Sequence, residues 1–367
     1  MINQIHLERF KCFDSQEIDL SNLSILAGSN GSGKSTIIQS LLLLRQSFFK
    51  QELSTSTISL NGALVNIGSI RDARFTGSKE DSIAFSITSQ NGETDFNAVY
   101  DYSPEKMDWD ILRARESPTI NRYSNIFKDK FSYLHAERIS PKSIYAIRRS
   151  DIDTTSVGIH GEFSIDQLSK NSEDSLIIPG LAFPDREAQD SFQVGYNARE
   201  WMRYIFPGLD WQINRYPEAD SVTITFKNLG GSEYFRPSNT GFGISYTLPI
   251  IIAGLISIKD SIFIIENPES HLHPAGQSAM GRFLAHLAAN GIQVIVETHS
   301  DHILNGIRLA VKQHILITEQ VIINFFVRND TESPSQVEKL EIKDNGQIQN
   351  WPDGFFDQTE KDLMQLF

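Results

Sequence analysis

With 367 residues, 40% of them apolar and 22% charged, the chain has ordinary globular composition and length enough to bury a core in one large domain or two smaller ones. Its net charge of -13 and pI near 5.2 exclude wholesale coating by nucleic acid and leave room only for a local basic groove. The single cysteine, Cys12, excludes a disulfide framework and a cysteine zinc site and fits a reducing cytoplasm, and neither a signal-peptide pattern nor an apolar run of membrane-spanning length is present.

Residues 2–26 read as strands leading into GSNGSGKST at 28–36, which fits the phosphate-binding pattern G-x-x-x-x-G-K-[ST]. Residues 23–27 read as a short buried strand and 37–49 as an apolar helix. Strand, glycine loop and helix together aim backbone N–H groups and a helix N-terminus at a phosphate. In this reading Asn30, Gly31, Gly33, Lys34, Ser35 and Thr36 bind ATP. Lys34 reaches the β- and γ-phosphates and the Ser35 hydroxyl faces Mg²⁺.

From about 58 to 102 the pattern alternates, and Asn91-Gly92 marks a hairpin between the strands 82–88 and 94–100 of an antiparallel sheet. Residues 131–135 form another strand, followed by Glu137, Arg138 and a break at Pro141. The stretch 142–220 is polar and irregular, with one helix expected over 187–206, and 221–227 alternates as a strand. In the last third, apolar runs at 261–265, 292–296 and 321–327 read as buried strands. Helical spacing of apolar residues through 280–288 and 303–311 places helices between them, so βαβ units and a parallel sheet are expected. The tail carries a hairpin at Asn345-Gly346 and then WPDGFFD at 351–357.

A second constellation lies in the last third. The run IFIIENPE at 262–269 puts acids at the C-terminal end of a buried strand, the edge where parallel sheets bind ligands, and Glu266 stands where an acid would hold Mg²⁺ through its water shell. Ser238, Asn239, Gly241 and Gly243 precede a long apolar helix. They read either as a strand-to-helix turn or as a second phosphate-binding helix N-terminus, serving a nucleotide held by a partner subunit. His299 follows the strand 292–296, where an imidazole reaches a γ-phosphate. His271 and His273, with Glu269, have the spacing of a metal site, and also of a loop that crosses a subunit boundary.

Together these residues resemble an ABC-type ATPase of the group that includes SMC, RecF and OLD-type proteins. IHLERFKCF at 5–13, followed by ILAGSNGSGKS at 25–35, resembles the N-terminal signature of that group. ENPESHLHP at 266–274 is similar to the D-E-P-E-x-x-L-H-P run of its smaller members, and Thr298-His299-Ser300 resembles the switch-histidine motif. WPDGFFD resembles the C-terminal signature of a bacterial family of unknown function.

The resemblance implies an α/β P-loop NTPase with an ABC-ATPase-like head: a mixed and parallel sheet flanked by helices, an antiparallel β subdomain and no long coiled coil. Residues 1–135 would form an N-terminal ATPase lobe, 136–235 an inserted and partly helical segment, 236–330 a C-terminal ATPase lobe, and 331–367 a hairpin and tail. By the same resemblance Gly33, Lys34 and Ser35 bind phosphate and Mg²⁺, and Glu266 is the Walker-B acid. His299 is the γ-phosphate sensor, and Gly241 contacts ATP across a dimer. Arg9 and Lys11 lie near the base or ribose, and Glu137 and Arg138 take the Q-loop position.

Two positions depart from the pattern. The catalytic glutamate is Asn267, which cannot act as a general base. Either Glu269 does the work, or hydrolysis is slow and ATP mainly holds a dimer together. The signature serine is Asn239.

The function implied is a cytoplasmic, Mg²⁺-dependent and slow ATPase that forms a homodimer or higher homo-oligomer on ATP. It would control a separate effector, a nuclease, in a bacterial antiphage or mobile-element defence system, with no membrane partner. Residues 300–367 alone follow His299, fewer than the roughly 100 residues of an appended metal-nuclease domain. The alternative is a RecF-like DNA-binding repair ATPase, with Arg113, Arg115, Arg148 and Arg149 in a DNA groove. The net charge favours the first reading. A P-loop kinase leaves Gly241 and His299 unexplained.

Overall fold

A computed structural model describes residues 1–148, 157–184, 192–227, 231–330 and 333–366. Arg149 and residues 187–191 of the expected helix lie outside the described residues. Contacts divide the chain into two units. One comprises Met1–Asp129, Val321–Ile342 and Ile348–Phe367, the other Lys130–Gln320 and Lys343–Gln347.

In the first unit an antiparallel sheet runs in the order Phe13–Asp19, Ile2–Phe10, Ser82–Ser89, Thr94–Asp101, Ile111–Ala114 and Thr57–Ser59, with Thr119–Ile120 beside Thr94–Asp101. The expected hairpin is present: Ser82–Ser89 and Thr94–Asp101 pair through a turn in which Gly92 takes φ 73°. Alternation has its usual meaning here, since Ile83, Phe85 and Ile87 are buried on one face. Phe85 meets Phe10 and Tyr100 edge-on, with centroids 5.0 and 6.2 Å apart.

The strand Leu23–Gly28 belongs to the same unit and pairs in parallel with Val321–Val327, which pairs antiparallel with Gln336–Leu340. Residues 23–27 expose no surface, which is why that run is apolar on both faces except at Ser24. The helix Lys34–Phe49 starts three residues before its apolar pattern does, because its first turn is made of phosphate-loop residues. In the tail, Ile342 and Ile348 bridge across the expected hairpin. Phe355 of WPDGFFD is buried between Phe325, 5.1 Å away, and Trp351, 5.0 Å away, and the Trp351 indole donates to the Phe355 carbonyl. The helix Gln358–Leu366 follows.

In the second unit Phe131–Leu134, Ile262–Glu266 and Gln293–Glu297 form the expected parallel strands, with Ile262 opposite both Phe131 and Gln293. Phe242–Leu255, Pro274–Ala289 and Asp301–Lys312 are the expected helices. The polar segment is more ordered than its composition suggests. It contains the helix Ser164–Asn171 and the antiparallel strands Tyr145–Ala146, Ser221–Lys227 and Asp210–Tyr216. Its second helix runs over Val194–Ile205, directly after Gln193, whose backbone is bridged to Ser175. No described helix exceeds 16 residues, and none is long and apolar enough to cross a membrane.

Candidate nucleotide-binding site

The phosphate loop is forced by its glycines. Gly28, Gly31 and Gly33 have φ values of 146°, 76° and 110°, which side chains rarely adopt. At Gly33 a Cβ would also lie 2.6 Å from Cys12 Sγ and 2.8 Å from Phe13 Cζ. Gly33→Ala is therefore expected to cost about 1–3 kcal/mol of stability, read from urea denaturation midpoints. Gly92→Ala is the control: its φ is 73° but nothing lies within 4 Å of the added carbon, so its loss should be smaller. Equal losses would show that φ strain alone sets the cost.

The loop is shaped for an anion. Gly33 caps the helix Lys34–Phe49 through its backbone conformation alone, with no side-chain cap and no acid in the first turn. Its N-terminal N–H groups and dipole are thus not neutralised by the protein's own carboxylates. Lys34 is 3% exposed, and its Nζ donates to the carbonyls of Gly28, at 3.0 Å, and Ser29, at 2.7 Å, so the charge lies over the loop. Ser29, Asn30, Gly31 and Ser35 are exposed, while Thr36 is buried with Oγ1 3.7 Å from Cys12 Sγ. These residues fit a nucleotide phosphate with its Mg²⁺, the group that the sequence pattern implies.

Arg9 and Lys11 bracket Phe10 at the end of Ile2–Phe10, both with left-handed backbone, at φ 55° and 52°. Lys11 reaches the loop helix, where its Nζ donates to Gln39 Oε1 at 2.7 Å. Burial lowers its pKa, against the opposing pull of Cys12 and Asp72. Arg9 turns to the antiparallel sheet: Nε donates to the Ser82 carbonyl at 3.0 Å, and Nη2 pairs with Glu8 at 2.7 Å.

In the second unit the acidic strand end is held from two neighbouring elements. Glu266 Oε1 accepts from the Tyr133 hydroxyl at 2.9 Å, and Oε2 accepts from the Ala136 amide at 3.1 Å. Each oxygen keeps a lone pair for a metal-bound water. Burial, then the Glu266 charge, raises the Tyr133 pKa, so the phenol remains a donor. Asn267 has φ 45°, its amide donates to the Glu297 carbonyl at 2.8 Å, and its Oδ1 has no hydrogen-bond partner. Arg138 fastens this turn. It is 2% exposed and donates to the carbonyls of His135 (3.2 Å), Glu266 (2.8 Å) and Asn267 (2.6 Å). Burial lowers its pKa to about 10, which keeps it charged at neutral pH. Glu137 beside it is exposed, and its amide donates to His135 Nδ1 at 3.1 Å.

Glu269 points to the next strand end. Its Oε2 accepts from Thr298 Oγ1 at 2.8 Å and its Oε1 from the His299 amide at 2.7 Å. His299 is exposed, directly before Ser300, which caps the helix Asp301–Lys312 by accepting from the Ile303 amide. Glu266, Asn267 and Arg138 are thus tied into one bonded set, and Glu269, Thr298 and His299 into a second. Sequence reasoning missed Tyr133 and named Thr298 only as part of the switch-histidine motif, whereas these two side chains bond the two glutamates.

Ser238 and Asn239 are exposed in the short turn Pro237–Asn239, and Gly241 caps the helix Phe242–Leu255. Gly243 is required by packing, since a Cβ there would lie 2.5 Å from the His271 carbonyl oxygen. Gly241 is not: its backbone is extended and nothing lies within 4 Å of the Cβ position. His271 packs on Tyr246, with centroids 4.8 Å apart, and His273 caps Pro274–Ala289 by accepting from the Ala275 amide. Among the described residues no group of three His, Cys, Asp or Glu side chains is arranged to hold a metal ion.

Residues 23–305 match the family described as "AAA domain, putative AbiEii toxin, Type IV TA system", and residues 317–366 match a family described as a protein of unknown function, DUF3696. The OLD nuclease of Thermus scotoductus is 20% identical over 320 residues, which cover 82% of this chain and 59% of that protein. This chain therefore spans less than two thirds of that relative's length. Two solved structures share the fold. An SMC head bound to the C-winged helix domain of ScpA is 16% identical, covers 93% of this chain and 98% of its own, and superposes with a TM-score of 0.54. An SMC head domain with an extended coiled coil, bound to the C-terminal domain of ScpA derived from Pyrococcus furiosus, is 15% identical, covers 100% and 99%, and gives 0.55.

Proposed function

The chain belongs to the AAA-domain family matched by its residues 23–305, as a P-loop ATPase of the SMC- and OLD-like type, and we propose that it is a slow, Mg²⁺-dependent ATPase that dimerises on ATP to control a separate effector. The observation that carries this reading is the buried Lys34 ammonium lying over a glycine loop at an uncapped, acid-free helix N-terminus. Lys34, Ser35 and the loop N–H groups hold the nucleotide, and Mg²⁺ supplies charge neutralisation at the phosphates. Glu266 orients the metal's water shell. His299 senses the γ-phosphate, and Asn267, without basic capacity, keeps turnover slow. Lys11, and more remotely Arg9, lie toward the base.

The effector is a nuclease and the setting is bacterial antiphage or mobile-element defence in the cytoplasm. Two findings support this: the family description names a toxin–antitoxin system, and a relative of greater length is an OLD nuclease. A RecF-like DNA clamp finds less support, since Arg115 is already forked on Asp101 at 2.8–3.2 Å. A DNA mobility-shift assay across a salt series tests that alternative, which predicts salt-dependent binding.

Dimerisation rests on Gly241, whose missing side chain nothing within its own unit explains. Light scattering with a non-hydrolysable ATP analogue should show a dimer or larger assembly. Gly241→Arg should leave the protein monomeric and reduce turnover by about 10²-fold or more, because a charged side chain would occupy the partner's phosphate site. Intact assembly and turnover in that variant would remove Gly241 from the interface.

A further inference from the structure

The parallel pairing that brings Tyr133 to Glu266 brings a second side chain of the same segment with it. Leu134 pairs with Ile265, so His135 follows at the level of Glu266, two residues beyond Tyr133. The Tyr133 and His135 rings meet edge-on, with centroids 6.2 Å apart. His135 Nε2 lies 3.8 Å from Glu266 Oε2, the oxygen that already accepts from the Ala136 amide. The Glu266 side chain is 12% exposed and that of His135 41%, so the imidazole borders the carboxylate from the solvent side.

Backbone atoms fix what this nitrogen can do. The Glu137 amide donates to His135 Nδ1 at 3.1 Å, so Nδ1 is an acceptor and the proton sits on Nε2. The Glu137 carbonyl, which can only accept, takes a hydrogen bond of 2.6 Å from His160 Nδ1, and the His160 ring stands edge-on to His135 at 5.5 Å. The N–H and C=O of one residue thus set two neighbouring rings in opposite tautomers. A histidine beside a carboxylate at a strand end invites reading the two as metal ligands. The tautomer excludes that for His135, because a ligand needs a free lone pair at Nε2. What Nε2 offers is an N–H donor without a positive charge.

We propose that His135 is a positioning residue of the ATPase reaction: its Nε2–H holds Glu266 Oε2 so that Oε1 faces the metal's water shell. The inference rests on the reading of Glu266 as the acid that serves that shell. Hydrogen bonds at catalytic sites are often long before the site is loaded, and the 3.8 Å gap closes by a turn of the carboxyl or through one bridging water. Oε2 then has both lone pairs occupied, by the Ala136 amide and by His135. Oε1 spends one lone pair on the Tyr133 hydroxyl and keeps the other for a metal-bound water. A neutral donor fixes this orientation without cancelling the charge that attracts Mg²⁺. Forming the turn at Glu137 needs only the acceptor at Nδ1, which a shorter side chain would supply.

Two substitutions part these roles. Asn carries an acceptor near the Nδ1 position and nothing at Nε2, whereas Gln carries an N–H the same number of bonds from Cα as His Nε2. Mn²⁺ binding to the full chain, with a non-hydrolysable ATP analogue present, is followed by the electron paramagnetic resonance signal of free Mn²⁺. His135→Asn should weaken Mn²⁺ binding about fivefold or more and His135→Gln by less than about twofold, with Glu266→Gln losing about tenfold or more. Single-turnover hydrolysis should fall in the same order. The inference is overturned if His135→Asn binds Mn²⁺ as the parent protein does, or if His135→Gln loses more than His135→Asn, the order that a turn-forming role alone requires. Unchanged Mn²⁺ affinity in Glu266→Gln would overturn the reading of Glu266 itself, and this inference with it.

Discussion

Lys34→Ala is expected to reduce ATP turnover by about 10²–10³-fold or more and to weaken ATP binding, because it removes the one buried cation at the phosphate loop. The ammonium is 3% exposed and already held by the carbonyls of Gly28 and Ser29, so little side-chain freedom remains to be lost when phosphate arrives. Binding can then strengthen contacts that are in place. Lys34→Arg should fail as well. A planar guanidinium is bulkier than the point charge that this loop encloses. Fluorescent-ATP titration and single-turnover hydrolysis measure the two effects separately. Unchanged affinity and unchanged turnover in Lys34→Ala would remove the phosphate loop from the function.

That site was legible because its requirement is local. Gly28, Gly31 and Gly33 are needed for backbone conformation, Lys34 and Ser35 follow at once, and the flanking strand and helix are both predominantly apolar. The acidic strand end was legible for the same reason. What holds it was not. Tyr133 lies 133 positions from Glu266 in sequence and reaches it only because their strands pair in parallel. Arg138 was placed at the Q-loop position after a strand, and nothing in the sequence showed that it bonds the Glu266 and Asn267 carbonyls of a turn with left-handed backbone. The strand Asp210–Tyr216 escaped notice because Trp211 is its one buried residue, so its alternation has little apolar contrast. The start of the helix Val194–Ile205 was not legible, because the bridge between Gln193 and Ser175 that precedes it is a non-local contact.

Glu269→Gln is expected to slow single-turnover hydrolysis by about 10²–10⁴-fold with ATP binding retained, the range for losing a general base. In the proposed assignment Glu266 serves the metal's water shell, and Asn267 can orient a water but cannot take its proton. Asn267→Ala should therefore cost less than about tenfold. The structure adds a second role to separate from the first. The Glu269 carboxylate accepts from Thr298 Oγ1 and the His299 amide, so it also anchors the strand end that presents His299. Replacement by Gln would put an amide donor against one of those two donors and shift His299 as well as remove the base. Thr298→Val separates the two. It deletes one of the two bonds that anchor Glu269, and with it the bond from the Ser300 amide to Thr298 Oγ1, but leaves the carboxylate in place and preserves the side chain's shape. If Glu269 acts as base, Thr298→Val should hydrolyse ATP within a few-fold of the parent protein, since the carboxylate is then freer to turn to the attacking water. If Glu269 acts only by positioning His299, Thr298→Val and His299→Ala should each reproduce most of the Glu269→Gln loss. Normal hydrolysis by Glu269→Gln would place the base elsewhere. Absence of turnover in the parent protein would make ATP a structural ligand.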